Sequence, residues 1–176
     1  YVVETSDETG TGMDFQVDWA PLAGFEAYLN LQYIDVTFDE RITRSGTDLS
    51  GQPTGTPEWS VSTGASQTWA LSNGSEFEVL GAYAYTSERR CNDESRQQLG
   101  CAVIGGVQNG EATHRLDLRA YWRDSADRFQ LGAYVNNVFD EQYIDGVGTL
   151  TADTFGTVHA QITPPRMWGV DLRVRY

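Results

Sequence analysis

Cys91 and Cys101 are the two cysteines of the chain, close together in a polar stretch. A metal site asks for more Cys or His nearby, and the two histidines are His114 and His159. A disulfide clasping a surface loop is the better reading, and it implies an oxidising, extracytoplasmic compartment. The alternative is a pair of reduced thiols in a cytosolic loop. Nucleophilic chemistry has no support: there is no Gly-x-Ser-x-Gly run, and no His beside a plausible nucleophile. The adjacent carboxylates Asp140 and Glu141 read as polar residues at a loop end rather than an acid/base couple. No enzyme activity and no cofactor are expected.

Charge excludes another class. Acidic residues number 25 and basic residues 12, all of them Arg, for a net charge of −13. Nothing resembles the basic footprint that nucleic acid requires. Aromatic residues make up 12% of the 176-residue chain, which argues against disorder. No apolar run approaches the roughly 18 residues of a membrane helix.

The elements that must position these residues are strands. Trp168, Val170, Leu172, Val174 and Tyr176 alternate with Gly169, Asp171, Arg173 and Arg175. That is strict period 2, which a helix would scatter around its circumference. The same alternation runs through Met13 to Trp19, Phe25 to Tyr33, Trp59 to Trp69, Phe77 to Tyr85, His114 to Trp122 and Phe129 to Val135. The pattern predicts about seven strands, with residues 1–5 adding part of an eighth, and no helix. Connections alternate in length: short turns at 20–24, 71–75 and 124–128, long ones at 39–55, 88–110 and 141–165. In an up-and-down meander the short turns then share one end and the long loops the other. This is the asymmetry of an outer-membrane barrel.

Three details favour a membrane barrel over a soluble sheet. The strands approach the 9–11 residues that a tilted crossing needs. Aromatics such as Trp19, Phe25, Trp69, Phe77, Trp122 and Phe129 gather at strand ends, as interfacial girdles do. Charges such as Arg115, Asp117 and Arg119 occupy the opposite face and fit a polar lumen. The mean hydropathy of −0.43 is compatible, because only every second strand residue meets lipid.

Several runs together resemble the C-terminal end of TonB-dependent outer-membrane receptors. Val135-Asn136-Asn137-Val138-Phe139-Asp140-Glu141-Gln142-Tyr143 is similar to that family's N-(L/V)-F-D-x-x-Y run on the penultimate strand. Residues 164–176 resemble its P-R-x-x-G-(V/L)-x-L closing strand with a terminal aromatic. Gly12 to Trp19 resembles an upstream G-(V/F)-E strand, with Asp14 where Glu is usual, and Thr56-Pro57-Glu58-Trp59 a strand start after a long loop. The resemblance implies an all-β fold. It implies an antiparallel up-and-down transmembrane β-barrel segment, the last third of a barrel of about 22 strands. Residues 1–176 are all read as that segment. The family's plug domain and its TonB-contacting box have no counterpart in this sequence.

What the resemblance implies about function concerns the parent receptor. Such receptors sit in the outer membrane of Gram-negative bacteria and import a scarce solute, most often a ferric siderophore, when TonB acts on the N-terminal part. Arg41, Arg44, Arg89, Arg90 and Arg96, all in the long loops, can then engage an anionic ferric complex through charge-assisted hydrogen bonds. The competing reading is that they balance the loop acids Asp39, Glu40, Glu88, Asp93 and Glu94. The resemblance also implies that Trp168, Val170, Leu172, Val174 and Tyr176 face outer-membrane lipid and form the signal read by the β-barrel assembly machinery. The alternative is a complete small eight-stranded outer-membrane barrel with a structural or adhesive role.

Overall fold

Alternating side chains of period 2 build one antiparallel sheet. The computed structural model describes residues 6–148 and 159–176. Seven long strands run in the order β1 (Asp7–Trp19), β2 (Phe25–Glu40), β3 (Trp59–Ala70), β4 (Glu76–Thr86), β7 (Thr113–Arg123), β8 (Phe129–Asn136) and β11 (Met167–Val174). Each pairs antiparallel with the next. All seven predicted strands are present, and the predicted short turns are the three that join them at 20–24, 71–75 and 124–128. The extra strand suggested for residues 1–5 lies outside the described residues.

The long connections hold small elements that period 2 did not reveal: α1 (Asp93–Gln97), the hairpin β5 (Val103–Ile104) and β6 (Val107–Gln108), and the pair β9 (Ile144–Gly148) and β10 (His159–Ile162). The helix corrects the expectation that there is none. It is one turn, too short to show a period. Its local signal is the capping Asn92 followed by Asp93 and Glu94 in the first turn.

Register lines the residue types up across the sheet. One row runs from Trp19 through Ala27, Ala65, Gly81, Leu118 and Val135 to Trp168, apolar or glycine at every strand. On the other face a row runs through Gln16, Asn30, Ser62, Ala84 and Arg115. A glycine on this polar face makes room for a neighbour: at Gly132 a Cβ would sit 2.5 Å from the Asp171 carboxylate oxygens.

The apolar row also fixes the tilt. Trp19 ends β1 at the short-turn end, whereas Trp168 stands near the long-loop start of β11, six residues before that strand ends at Val174. That slip is about 20 Å of strand, accumulated over six strand spacings that span about 29 Å. With the short-turn ends level, the strands incline by about 35°, the tilt of a barrel wall. Aromatic pairs mark that level end. Trp19 meets Phe25 edge-on at 5.8 Å and Trp69 stacks on Phe77 at 5.9 Å, each pair beside a short turn.

Neither face of this wall is covered. Trp168 and Leu172 are 77% and 67% exposed. Phe38 and Leu49 are the buried large apolar residues among those described, and both lie at the long-loop end. The buried apolar interior of this segment therefore lies at its long-loop end.

Candidate functional site

The long-loop end carries three loops: residues 41–58, 87–112 and 137–166. The first folds on itself. Leu49, wholly buried, donates its backbone N–H to the Arg41 carbonyl (2.9 Å), and Gly51 donates to Phe38 (2.7 Å). Asp48 accepts from the Ser50 backbone (2.9 Å), and the Ser50 hydrogen bonds hold its carboxyl below the usual range. The Arg41 guanidinium lies 4.8 Å from the centre of the Phe38 ring.

The second loop is docked on the first. Cys91 and Cys101 are joined, with Cα atoms 6.2 Å apart, around α1. Asn92, 4% exposed, caps the helix. Its side-chain oxygen accepts from the Ser95 N–H (2.7 Å), and Ser95 Oγ accepts from the Asn92 N–H (2.9 Å). The Asn92 amide also donates to the Pro53 carbonyl (2.8 Å). Asp93 and Gln52 exchange two hydrogen bonds of 3.0 Å each. Arg41 closes the contact on Glu94 at 2.7 Å.

The predicted ligand arginines are thus largely committed within the protein. Arg41 pairs with Glu94 and Arg96 with Asp93 (3.1 Å). Arg90 bridges Asp35 of β2 and Glu58 (2.9 Å), partners far from it in sequence. Arg89 donates its backbone N–H to Gly110 (2.7 Å), and its side chain runs along that glycine. Arg44 too has a partner. Neutralised in this way, three of the five offer an anion much less than bare guanidinium groups would.

The third loop is held by the residues of the Asn-Val-Phe-Asp run. Asn137, 7% exposed, has a left-handed φ of 54°. Its amide donates to the carbonyls of Glu141 (2.7 Å) and Pro164 (3.2 Å), and its N–H donates to Asp117 of β7 (2.8 Å). Asp140 accepts from the Arg166 backbone N–H (2.8 Å), just before β11. The Tyr143 hydroxyl accepts from the His114 N–H (2.8 Å) and donates to the Glu141 carboxylate. Burial, reinforced by Glu141, pushes the Tyr143 phenol up to about 12. The run is a clasp that ends β8 and ties its loop to β7 and β11. Its residue types were visible in the sequence, but not that role.

Beside the clasp lies a cavity of about 320 Å³ lined by Thr113, Arg115, Asn136, Glu141, Tyr143 and Asp145. The side-chain oxygens of Asn136 and Asn137 are buried there without a partner. Tyr143 separates it from a smaller space of about 140 Å³ lined by Arg89, Gln108 and Glu111. Among the described residues no three His, Cys, Asp or Glu side chains converge as a metal site would require. His114 is turned to Tyr83, whose hydroxyl is 2.9 Å from Nδ1.

At the other margin, Trp168, Val170, Leu172 and Val174 all stand on the apolar face of β11. Tyr176 lies two residues beyond the strand, where the Arg175 N–H still reaches the Arg128 carbonyl (2.8 Å).

No protein-family model and no curated protein matches the chain. Among solved structures, the ferric yersiniabactin uptake receptor FyuA from Yersinia pestis is similar, with a TM-score of 0.64 at 16% sequence identity. The likeness covers 97% of this chain and 24% of that one, so this chain spans about a quarter of the receptor's length. At that identity the likeness is one of fold: a seven-stranded antiparallel sheet shaped as part of a β-barrel.

Proposed function

We propose that this chain is the C-terminal wall of a TonB-dependent outer-membrane receptor, and that the parent protein imports a scarce solute, a ferric siderophore being the first candidate. The observation that carries the reading is the fold likeness, which takes in almost the whole chain but only a quarter of an uptake receptor. The sheet supports it. Its edge strands β1 and β11 have no outer partner among the described residues. In lipid such edges leave backbone groups unsatisfied, so further strands must close the wall. The apolar rows supply a lipid face, the polar rows a lumen, and the long loops an outer mouth.

In this reading the polar wall and the loop cap shape the entrance, while energy reaches the receptor from TonB through the N-terminal part. Radio-iron uptake by iron-starved cells carrying the parent gene tests it. Uptake of a ferric chelate that stops when TonB or the parent gene is deleted supports the proposal. Uptake of iron chelates unchanged by either deletion overturns the siderophore assignment. A parent protein that migrates as a folded barrel of this chain's own mass overturns the receptor assignment in favour of a small barrel.

A further inference from the structure

We propose that the Cys91–Cys101 disulfide is a thiol-responsive latch that holds α1 docked on loop 41–58 when closed and frees α1 from that loop when reduced, while the Pro57–Arg89 bridge and the Arg90–Glu58 ion pair still join the bases of the two loops. The side-chain contacts that dock α1 on the first loop come from three consecutive residues directly after Cys91. Asn92 reaches Pro53, Asp93 reaches Gln52, and Glu94 reaches Arg41. They point the right way only while residues 92–97 hold their helical turn. So short a turn is marginal by itself, because fixing its dihedrals costs more than its few backbone hydrogen bonds return, Arg96 N–H to Asn92 (3.1 Å) and Gln98 N–H to Glu94 (2.9 Å) among them. It is fixed instead at both ends: by the capping box at Asn92, and by the disulfide that returns the chain from Cys101 to Cys91.

Both sides of the disulfide are anchored: before Cys91, Arg89 donates its backbone N–H to Gly110 (2.7 Å) and Arg90 pairs with Glu58 (2.9 Å), while Cys101 is held from the hairpin. Gln108 donates to the Cys101 carbonyl (2.9 Å), Asn109 donates to the Leu99 carbonyl (2.8 Å), and the Gly100 N–H donates to Ser95 (2.7 Å). The disulfide thus carries the anchorage of the β5–β6 hairpin across to the start of α1. A dithiol supplies two electrons and two protons. The S–S bond breaks, two thiols form, and the dithiol closes to its own disulfide. The turn then frays, and three docking contacts that share it fail together. The first loop keeps its own core of Phe38 and Leu49 but loses Glu94 from Arg41. In the receptor reading, on which the location of this cap rests, the consequence is an entrance that loosens in a reducing medium.

Trypsin tests the latch on the folded parent protein in detergent, with and without dithiothreitol. Reduction should raise the cleavage rate at least tenfold both after Arg96 and after Arg41, while β7 stays uncut at Arg115, Arg119 and Arg123. The double variant Cys91→Ser/Cys101→Ser should behave as the reduced protein and ignore the reductant. Faster cutting after Arg96 with unchanged cutting after Arg41 overturns the proposal, since the disulfide would then brace only its own loop. So does an equal response in the double variant. A response in detergent with none on intact cells, under an impermeant reductant, would count against the outer location of the cap and leave the latch standing.

Discussion

Leu118 is the middle residue of β7, on the apolar row between Gly81 and Val135, and is 40% exposed. If that row faces hydrocarbon, Leu118→Arg puts a guanidinium near the bilayer midplane, at a cost of about 2–4 kcal/mol. At about 1.4 kcal/mol per factor of ten, the folded population falls about 30- to 700-fold relative to the unfolded. Arg119, the next residue, is on the polar face and has no ion pair among the described residues. Arg119→Gln should therefore stay within about 0.5 kcal/mol, the ordinary range of a surface change. The assay is urea unfolding of the parent barrel in phospholipid vesicles, followed by tryptophan fluorescence. A soluble sheet with a solvated apolar face predicts similar small values for both variants. Equal midpoints and slopes for Leu118→Arg and Arg119→Gln would refute the assignment of faces.

The same logic applies at the margin: Leu172→Arg should cripple assembly, Arg173→Gln should be mild, and removal of Tyr176 should lower the folded yield read by heat-modifiable gel mobility. Cys91 and Cys101 should resist alkylation in protein taken from its native membrane until reductant is added; two freely labelled thiols there would sink the pairing. Asn137→Ala loses two hydrogen bonds and places alanine at a left-handed φ, which sums to about 2–3 kcal/mol. Asn137→Gly keeps the backbone relaxed and should cost about 1 kcal/mol less, and equal losses would remove the strain from the account. Tyr143 has a folded pKa raised to about 12, so the folded state favours its neutral form. Its contribution is complete below the ordinary phenol value near 10 and is lost as pH rises through about 12. Phenolate absorbance together with proteolysis of loop 137–166 should show the phenol ionising late and the loop loosening with it. Normal ionisation near pH 10 with an intact loop would contradict the clasp.

The wall was legible because most of its strand residues obey a rule of period 2 that does not depend on distant partners. Trp168, Val170, Leu172 and Val174 could be placed on one face from spacing alone, and the three short turns fell where the alternation paused. The loops follow no such rule. Arg90 finds Asp35 and Glu58, and Arg41 finds Glu94, across separations that only the docked loops create. Charge counting could say that acids were near the arginines, but not which acids. Asn92 is an intermediate case. Its capping signal is local, yet its amide also meets Pro53, a contact no local reading provides. The Asn137 clasp was present as a family-like run of letters, and its meaning waited on the left-handed φ and the carbonyls of Glu141 and Pro164.

The wall and the cap are stabilised by different physics, and that difference bears on how such a protein changes state. The wall gains little from side chains buried within this segment. It holds through a ladder of backbone hydrogen bonds, which in the receptor reading stands in lipid, where no water competes. Such a ladder is cooperative along every strand and resists local opening. The cap is held by a small core at Phe38 and Leu49 and by partly exposed ion pairs, and pairs of that kind are worth about 1 kcal/mol or less each. Sums of small terms open locally at modest cost, which is the regime of segments that move for function. In the receptor reading, adaptation to a solute therefore belongs to the loops. The one device that can raise the opening cost of the cap without adding a core is a covalent link, and this loop system places it around α1, the turn on which docking depends.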